Sequence, residues 1–151
     1  ALKKNANNMS IVKIGNSILT NPCEKLTEDN YTKYLSKFLM RSIPYRKHGQ
    51  GIASNQVNLP YRICSVKIGQ VWKTFINPEI IKYYGESFIN NERCLSIPNK
   101  DFNVKRYKSV DIVYRDTKYR AQTATYNALT AIVLQHELDH LDGVLISMKN
   151  N

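Results

Sequence analysis

Residues 136–140 carry the side chains that most directly indicate chemistry. They read His136-Glu137-Leu138-Asp139-His140 and include two of the 3 histidines in the chain. Positions i and i+4 of an α-helix lie on one face about one turn apart, so His136 and His140 are placed to bind a single metal ion. Glu137 would then lie beside a metal-bound water and accept its proton. This spacing predicts metal-dependent hydrolysis.

The residues around these histidines predict a buried helix over residues 125–141. A helix that is apolar on all sides is buried, and buried imidazoles need partners, which favours a metal site over an exposed helix with two incidental histidines. Gly143 is placed to end the helix. The apolar residues near the two histidines are Ala128, Leu129, Ala131, Ile132, Val133, Leu134, Leu138 and Leu141.

A catalytic metal needs a third protein ligand and one open position. His48, the acidic residues and Cys94 are the alternatives, and a thiolate is a strong ligand for zinc or ferrous iron. Cys64 alternates with apolar residues as in a core strand, and Cys23 lies in a loop that contains a proline. Because a lone cysteine is more often a small buried hydrophobic residue than a ligand, spacing alone leaves the third ligand open.

The elements that must position these residues indicate an α+β domain, with antiparallel β-sheets packed around the buried helix and a second helix near the N-terminus. That N-terminal helix is predicted over residues 26–46, with Thr27 as its N-cap and Pro44 disturbing its last turn. Its apolar stripe is Tyr31, Tyr34, Leu35, Phe38 and Leu39. The predicted strands cover residues 62–68, 71–76, 79–84, 104–107, 109–114 and 119–123.

Length and composition indicate one globular domain. The chain has 151 residues, of which 42% are hydrophobic and 23% charged, and it has no run near the roughly 20 apolar residues of a membrane helix. Its 3 cysteines cannot form a closed disulfide framework, which favours reduced thiols. We expect residues 1–8 to be an upstream extension or an expression remnant and residues 9–151 to form a single catalytic domain.

The net charge of +10 is large for this length and favours contact with polyanions such as ribosomal RNA, or simply solubility. The basic residues are spread along the chain, and no RNA-binding motif organises them. We therefore interpret them mainly as a solvated surface and expect no sequence-specific nucleic acid and no membrane as partners.

Three segments, in order, resemble the signature motifs of peptide deformylase. Residues 49–56 (Gly-Gln-Gly-Ile-Ala-Ser-Asn-Gln) are similar to a Gly-x-Gly-hydrophobic-Ala-Ala-x-Gln loop. Residues 92–96 (Glu-Arg-Cys-Leu-Ser) are similar to Glu-Gly-Cys-Leu-Ser, and residues 135–140 match Gln-His-Glu-x-Asp-His. The resemblance spans residues 9–147. It implies a hydrolase of the bacterial-type cytoplasm or of an organelle, acting in protein biosynthesis on the N-terminal formylmethionine of nascent polypeptides.

The resemblance assigns the metal ligands to Cys94, His136 and His140. It assigns the general base to Glu137, which would activate a metal-bound water or hydroxide for attack on the formyl carbon and release formate. The implied metal in the cell is Fe²⁺, and the family also accepts Zn²⁺, Ni²⁺ or Co²⁺.

The resemblance also assigns residues that bind the substrate. Gln56 and the backbone N–H of Leu95 correspond to the groups that hold the formyl oxygen, and Glu92 pairs with Arg106 behind the cysteine loop. Glycines let a substrate backbone approach closely, although a lone Gly-x-Gly is also an ordinary turn. The expected substrate-binding residues are Gly49, Gly51, Ile52, Arg93, Leu129, Ile132 and Val133, the last three lining the slot for the methionine side chain.

The chain departs from the family pattern at several positions. Arg93 replaces the glycine before the cysteine and puts a cation at the rim of the expected substrate groove, where it would bind a peptide carbonyl or an acidic side chain, or restrict entry. Ser54 replaces an alanine, and Ala128-Leu129-Thr130-Ala131 stands where the family has Gly-Leu-Leu-Ala. Only 11 residues follow His140, which implies a minimal member without the C-terminal helix, similar to phage-encoded ones, whose basic surface would dock on the ribosome instead.

Two other functions fit parts of the sequence. A metallopeptidase that cleaves internal peptide bonds also uses His-Glu-x-x-His, but it usually takes a third ligand downstream, where Asp142 is the only acid. A basic ribosome- or RNA-binding module with an inactive site is the other. Against that inactive module stands the intact set of Cys94, His136, Glu137, His140 and Gln56.

Overall fold

A computed structural model describes residues 10–150 of the chain. The helices are α1 (Tyr31–Ser42) and α2 (Ala128–Leu141), and short 3-10 turns cover Ser17–Leu19, Ile43–His48, Ser54–Val57 and Ile146–Lys149. The strands are β1 (Gly51–Ala53), β2 (Ile63–Ile68), β3 (Val71–Cys94), β4 (Ile97–Arg115) and β5 (Ala121–Asn127). The predicted extension over residues 1–8 lies outside the described residues, as do Met9 and Asn151.

The five strands form one antiparallel sheet in the chain order β1-β2-β3-β4-β5. A mixed fold of helices and antiparallel strands is therefore confirmed, but the expectation of more than one sheet is wrong. β1 and β5 are the edge strands, and β1, in the segment expected to be a loop, pairs with β2 through Gly51 and Val66. The cavity described below opens beside β1.

The predicted strand boundaries at Pro78 and Gly85 are also wrong, because β3 runs through both residues. The pairing of β3 with β4 shifts register between Ile76 and Glu79 and again between Tyr84 and Ser87. Gly85, between Tyr84 and Ser87, has a φ of 75°. A β-bulge accommodates a proline or a left-handed glycine without ending the strand, so these turn signals mark bulges here.

The helix α2 begins three residues later than predicted because the preceding residues belong to β5. Tyr126 and Asn127 pair with Val110 and Ser109 of β4. Ala128 then opens the helix at a φ of 53°, a left-handed conformation that costs a residue with a Cβ roughly 1–2 kcal/mol. The helix ends as predicted, with Gly143 at a φ of 77° donating its N–H to the His140 carbonyl.

The helix α1 is shorter than predicted at both ends. Thr27 is not its N-cap: the Thr27 and Asn30 side chains accept each other's backbone N–H and form a separate turn before the helix. At the other end the chain tightens at Ile43 into a 3-10 turn that contains Pro44. The predicted apolar stripe does face inward and packs in one cluster with Ile52, Ile63 and Ile76.

The main core lies between α2 and the sheet. Leu134, Leu138 and Leu141 of α2 are 0–3% exposed and belong to one buried cluster with side chains from four strands. Those strand residues are Ala53, Cys64, Val66, Phe75, Val110, Ile112 and Tyr114. This contact fixes the height and rotation of the helix that carries the two histidines. Neither described helix is long and apolar enough to span a membrane.

Candidate metal centre and substrate cavity

Three side chains that are far apart in the sequence meet at one point. One donor atom each from Cys94, His136 and His140 lie within 4.8 Å of one another, and Cys94 Sγ is 3.2 Å from His140 Nε2. Donor atoms around one tetrahedral ion lie roughly 3–4 Å apart, given metal–ligand bonds of about 2.0–2.3 Å. The thiol comes from the end of β3 and both imidazoles from α2, so the sheet-to-helix packing brings the set together. A thiolate and two imidazoles fit a divalent transition metal.

The second ring nitrogen of His136 is held by a carboxylate. His136 Nδ1 lies 2.9 Å from Glu92 Oε1, which leaves Nε2 for the centre of the cluster. Such a partner fixes both the tautomer and the orientation of a metal-ligating histidine. For His140 the backbone is held instead, since Asn55 Nδ2 donates to the His140 carbonyl at 2.6 Å.

Behind His136 lies a group of charged side chains that we call the floor network, formed by the buried Glu92 and Arg106 and the partly exposed Asp139. The Glu92 carboxylate accepts from Arg106 Nε and Nη2, both at 2.8 Å, and Asp139 Oδ2 accepts from Arg106 Nη1 at 2.5 Å. The Arg106 side chain is only 1% exposed. The structure therefore confirms the Glu92–Arg106 pair and adds Asp139 to it. Helical spacing could not reveal that Asp139 binds Arg106, because Arg106 lies on a strand.

The electrostatics of the cluster favour a positive charge. Burial disfavours a cationic His136, but hydrogen bonds with Cys94 and Glu92 and the charge of Glu137 outweigh it and raise its pKa to about 10. Burial and the positive charges of His136 and Arg106 hold the pKa of His140 well below its ordinary value. His140 is therefore neutral, the form that binds metals. The Glu92 and Glu137 carboxylates that favour the cationic form of His136 would also favour a divalent ion bound in its place.

Glu137 lies against β1 on the same side of the helix as the cluster. A Cβ added to Gly51 would come within 2.6 Å of Glu137 Oε2 and 2.8 Å of Val133 Cγ1, so only glycine leaves room for this carboxylate. Burial raises the pKa of Glu137 to about 7, against the charges of His136 and Arg106. Glu137 Oε1 is buried and has no hydrogen-bond partner among residues 10–150, so it is available to a ligand.

Gln56 approaches the cluster from the 3-10 turn after β1. Its Oε1 accepts the Ala53 N–H at 3.0 Å, and its Nε2 donates to Ser96 Oγ at 3.2 Å and to Cys94 Sγ at 3.6 Å. The amide N–H groups therefore point at the place where Cys94 and Leu95 meet the cavity.

A cavity of about 560 Å³ opens over this centre. The predicted Gly49, Gly51, Arg93, Leu129, Ile132 and Val133 all line it, together with Gln56, Leu95 and Glu137. Leu129 is 60% exposed there, so this residue of the apolar helix is not core. Ile52 does not line the cavity. Alternation along β1 turns its side chain into the cluster that packs against α1, where it is 1% exposed.

The other candidates for the third ligand lie elsewhere. His48 is an exposed residue at the cavity mouth, outside the Cys94–His136–His140 group. Asp142, which the metallopeptidase alternative would need, pairs with Arg62 at 2.7 Å. Burial raises the pKa of the Cys23 thiol to about 11 and that of Cys64 well above its ordinary value, so both remain protonated.

Sequence reasoning missed residues that hold α2 in place. Gln135 accepts the Tyr107 N–H at 2.9 Å and donates to the Tyr107 carbonyl at 2.7 Å, as a neighbouring strand would. Gln135 and Asp139 both belong to the motif of residues 135–140, and that membership was the only indication in the sequence that they have a role. Asn55 gave no signal, since its partner is a backbone carbonyl 85 residues away in the chain.

The fold and this cluster define a candidate mononuclear metallohydrolase centre, and comparison with known proteins identifies the family. The family model described as polypeptide deformylase matches residues 8–151. A peptide deformylase of Flavobacterium psychrophilum is 34% identical over 158 residues, covering 93% of this chain and 81% of that protein. One from Caldanaerobacter subterraneus is 36% identical over 135 residues, covering 89% and 84%.

Solved structures agree. The peptide deformylase of Thermotoga maritima superposes with a TM-score of 0.83 at 29% identity, covering 93% of this chain and 96% of that one. A peptide deformylase from Synechococcus elongatus, in complex with actinonin, gives 0.83 at 28% identity, covering 94% and 78%. The chain belongs to the polypeptide deformylase family. It is thus a hydrolase of the class that removes N-terminal formyl groups, as the three motifs indicated.

Proposed function

We propose that this protein removes the formyl group from the N-terminal formylmethionine of nascent polypeptides, with a divalent metal held by Cys94, His136 and His140. The observation that carries the proposal is that these three donors meet at one point, beside a cavity that Cys94, His136 and Glu137 line. Fe²⁺ is the proposed metal in the cell, with Zn²⁺, Ni²⁺ or Co²⁺ as substitutes, and the bacterial-type cytoplasm is the proposed location.

When bound, the metal would supply Lewis acidity that lowers the pKa of a coordinated water toward neutrality. Glu137 accepts the proton of the attacking water and passes it to the departing amine nitrogen. Water is thereby added across the amide bond, giving formate and a free α-amine. A buried carboxylate with an unpartnered oxygen suits this role, because little competing solvent lies around it.

Gln56 and Leu95 are proposed to hold the formyl oxygen as negative charge develops on it. The Gln56 Nε2 already lies 3.6 Å from Cys94 Sγ, so a small shift of hydrogen bonding from Ser96 to the substrate is sufficient. Removing one such donor typically lowers the rate by about 10²–10³-fold.

The substrate is proposed to lie along β1. Because β1 is an edge strand, its outer edge at Gly51 and the segment just before it at Gly49 can pair with an extended peptide, with Ile52 contributing backbone only. Leu129, Ile132 and Val133 form the apolar wall for the methionine side chain of the substrate. Arg93 contacts the substrate residues that follow the formylmethionine. We expect actinonin, which the Synechococcus elongatus protein binds, to compete for this cavity.

Contact with the ribosome surface through the basic charge is a further part of the proposal. Residues 30–78 contain no Asp or Glu but eight Lys or Arg. We expect co-sedimentation with ribosomes that weakens as salt rises. The absence of co-sedimentation at physiological salt would exclude this part alone.

The direct test is formate release from formyl-Met-Ala-Ser under anaerobic conditions by protein loaded with Fe²⁺ or Ni²⁺. We expect release by the parent protein, and loss of release in Glu137→Ala with the metal retained and in Cys94→Ala with the metal lost. A protein that binds one metal tightly but releases no formate, or that cleaves internal peptide bonds, contradicts the proposal.

Gly51 and Gly49 provide a matched pair that tests the placement of Glu137. Gly51→Ala puts a methyl group against Glu137 Oε2, whereas a methyl group on Gly49 meets nothing closer than 4.0 Å. We expect kcat/KM to fall about 10–100-fold in Gly51→Ala, given the sensitivity of catalysis to shifts near 1 Å, and by no more than about twofold in Gly49→Ala. Equal losses in the two variants would indicate that both act through the substrate backbone.

A further inference from the structure

Two cations stand at the cavity mouth without acidic partners. Arg93 lies in β3 just before the cysteine of the cluster, and Lys100 lies near the start of β4; both line the cavity and are exposed. Neither side chain forms an ion pair with any residue between 10 and 150. Asp101 faces Arg93 across the β3–β4 ladder but does not approach it within ion-pair distance. We call Arg93 and Lys100 the basic rim.

The acids of the cavity cannot neutralise the basic rim. Among residues 10–150, the acids that line it are Glu92 and Glu137, which are 7% and 4% exposed. Glu92 already binds Arg106 and His136, and Glu137 faces the centre. Among the residues that line the cavity, negative charge is therefore confined to the floor, and Asp101, across the ladder from Arg93, is an acid at the mouth outside that lining.

The opposite wall adds no negative charge. It is formed by His48, Gly49, Gln50 and Gly51, which lie inside the acid-free stretch of residues 30–78. A peptide that leaves the cavity in an extended conformation thus passes between a cationic wall and a wall without acids. An anionic side chain on that peptide would gain from the cationic wall, and a cationic one would be repelled by it.

We propose, on the basis of the function proposed above, that the basic rim selects nascent chains with an Asp or Glu soon after the formylmethionine. An extended chain advances about 3.3 Å per residue. Arg93 is the immediate neighbour of the metal ligand Cys94, so its guanidinium can meet side chains of the second to fourth substrate residues. The glycine that the family motif has at this position could not make this contact.

The experiment compares amidated peptides of the series formyl-Met-Ala-Ala-Ser that carry Glu, Gln or Lys at position 2, 3 or 4. Amidation removes the peptide carboxylate as a rival anion. At about 20 mM salt we expect kcat/KM for the best Glu peptide to exceed that for the matched Lys peptide about threefold to tenfold, with Gln between. The ratio should shrink toward one near 0.5 M salt, because exposed charges are then screened.

Charge reversal then tests the residues. Arg93→Glu with Lys100→Glu should invert the Glu-to-Lys ratio, and Asp101→Asn should increase it. Lys118→Glu is the control, since it changes the net charge equally per site on an exposed turn that does not line the cavity. A wild-type ratio within twofold at all three positions, or a preference that the double variant leaves unchanged, overturns the inference. Hydrolysis of the Gln peptides keeps that result separate from failure of the proposed function, in which no peptide is deformylated.

Discussion

Two networks of the same chemistry lie in different surroundings. In the floor network the Glu92 carboxylate meets Arg106 at 2.8 Å, and in the β4–β5 turn the Asp116 carboxylate meets Arg120 at 2.9 Å. The arginine side chain is 1% exposed in the first and 65% exposed in the second. We call Asp116, Arg120 and Gln122 the turn network.

The two carboxylates reach similar pKa values by different causes. Burial alone would raise the pKa of Glu92, but hydrogen bonds from Arg106 and His136 and the Arg106 charge lower it to about 2. The pKa of Asp116 is lowered to about 2, chiefly by the Arg120 backbone N–H and also by that of Lys118. Although the two pKa values are similar, the loss of folding stability on breaking each pair should differ. Breaking the buried pair leaves an uncompensated buried charge, whereas water replaces the lost partner of the exposed pair.

The largest effect is expected from Arg106→Met, which removes the cation from the floor and leaves the Glu92 and Asp139 carboxylates without it. We expect the free energy of unfolding to fall by about 3–5 kcal/mol, as for other broken buried pairs. Urea unfolding of the metal-loaded protein measures this. Arg120→Met is the matched control, with a loss several-fold smaller, and equal losses would refute the contrast.

Glu92→Gln tests whether the floor network also serves the metal. The amide keeps the volume of the side chain but loses the charge that holds His136 Nδ1. Loss of such an outer partner typically weakens metal binding about 10–100-fold. Competition with a chromogenic chelator gives the Kd for Zn²⁺. If Glu92→Gln and Asp116→Asn bind Zn²⁺ as tightly as the parent, the floor network is structural only.

Asp139→Asn should lower the free energy of unfolding by an intermediate amount, which tests whether the loss increases with burial of the ion pair. The Asp139 side chain is 19% exposed and also has Lys149 Nζ at 3.3 Å. We expect a loss of roughly 1–2 kcal/mol, between those of the Arg106 and Arg120 variants. The same urea series measures it, and a loss as large as that of Arg106→Met would mean that burial does not grade the effect.

The smallest effect is expected from Asp116→Asn, and it should depend on pH. Because folding lowers the pKa of Asp116 from 3.8 to about 2, its contribution is present above about pH 4 and disappears as the pH falls toward 2. The stability difference between the parent and Asp116→Asn should be small, flat at neutral pH and absent near pH 2. A difference that grows on acidification would contradict the assignment.

The sequence located the side chains that meet in the candidate site better than it located the limits of the strands and helices. His136, Glu137 and His140 follow from local spacing, which a helix preserves wherever it lies in the fold. The strand limits at Pro78 and Gly85 failed, because a bulge and a turn have similar local signals and only cross-strand pairing separates them. The prediction that the Ile52 side chain lines the cavity was wrong for a related reason. The motif indicated where the backbone of Ile52 lies but not on which face of β1 its side chain would point.

By itself, the sequence predicted which side chains of α2 could bind a metal, and it determined the apolar faces of α1 and α2, the end of α2 at Gly143 and, through three motifs, the family. Each of these depends on residue type and on spacing within a few positions. Only the tertiary structure decided that Glu92 holds His136 as well as Arg106, that Asn55 holds the His140 carbonyl and that Gly51 leaves room for Glu137. These contacts join residues 44, 85 and 86 positions apart, and their strength comes from burial and distance, which exist only once α2 has packed against the sheet.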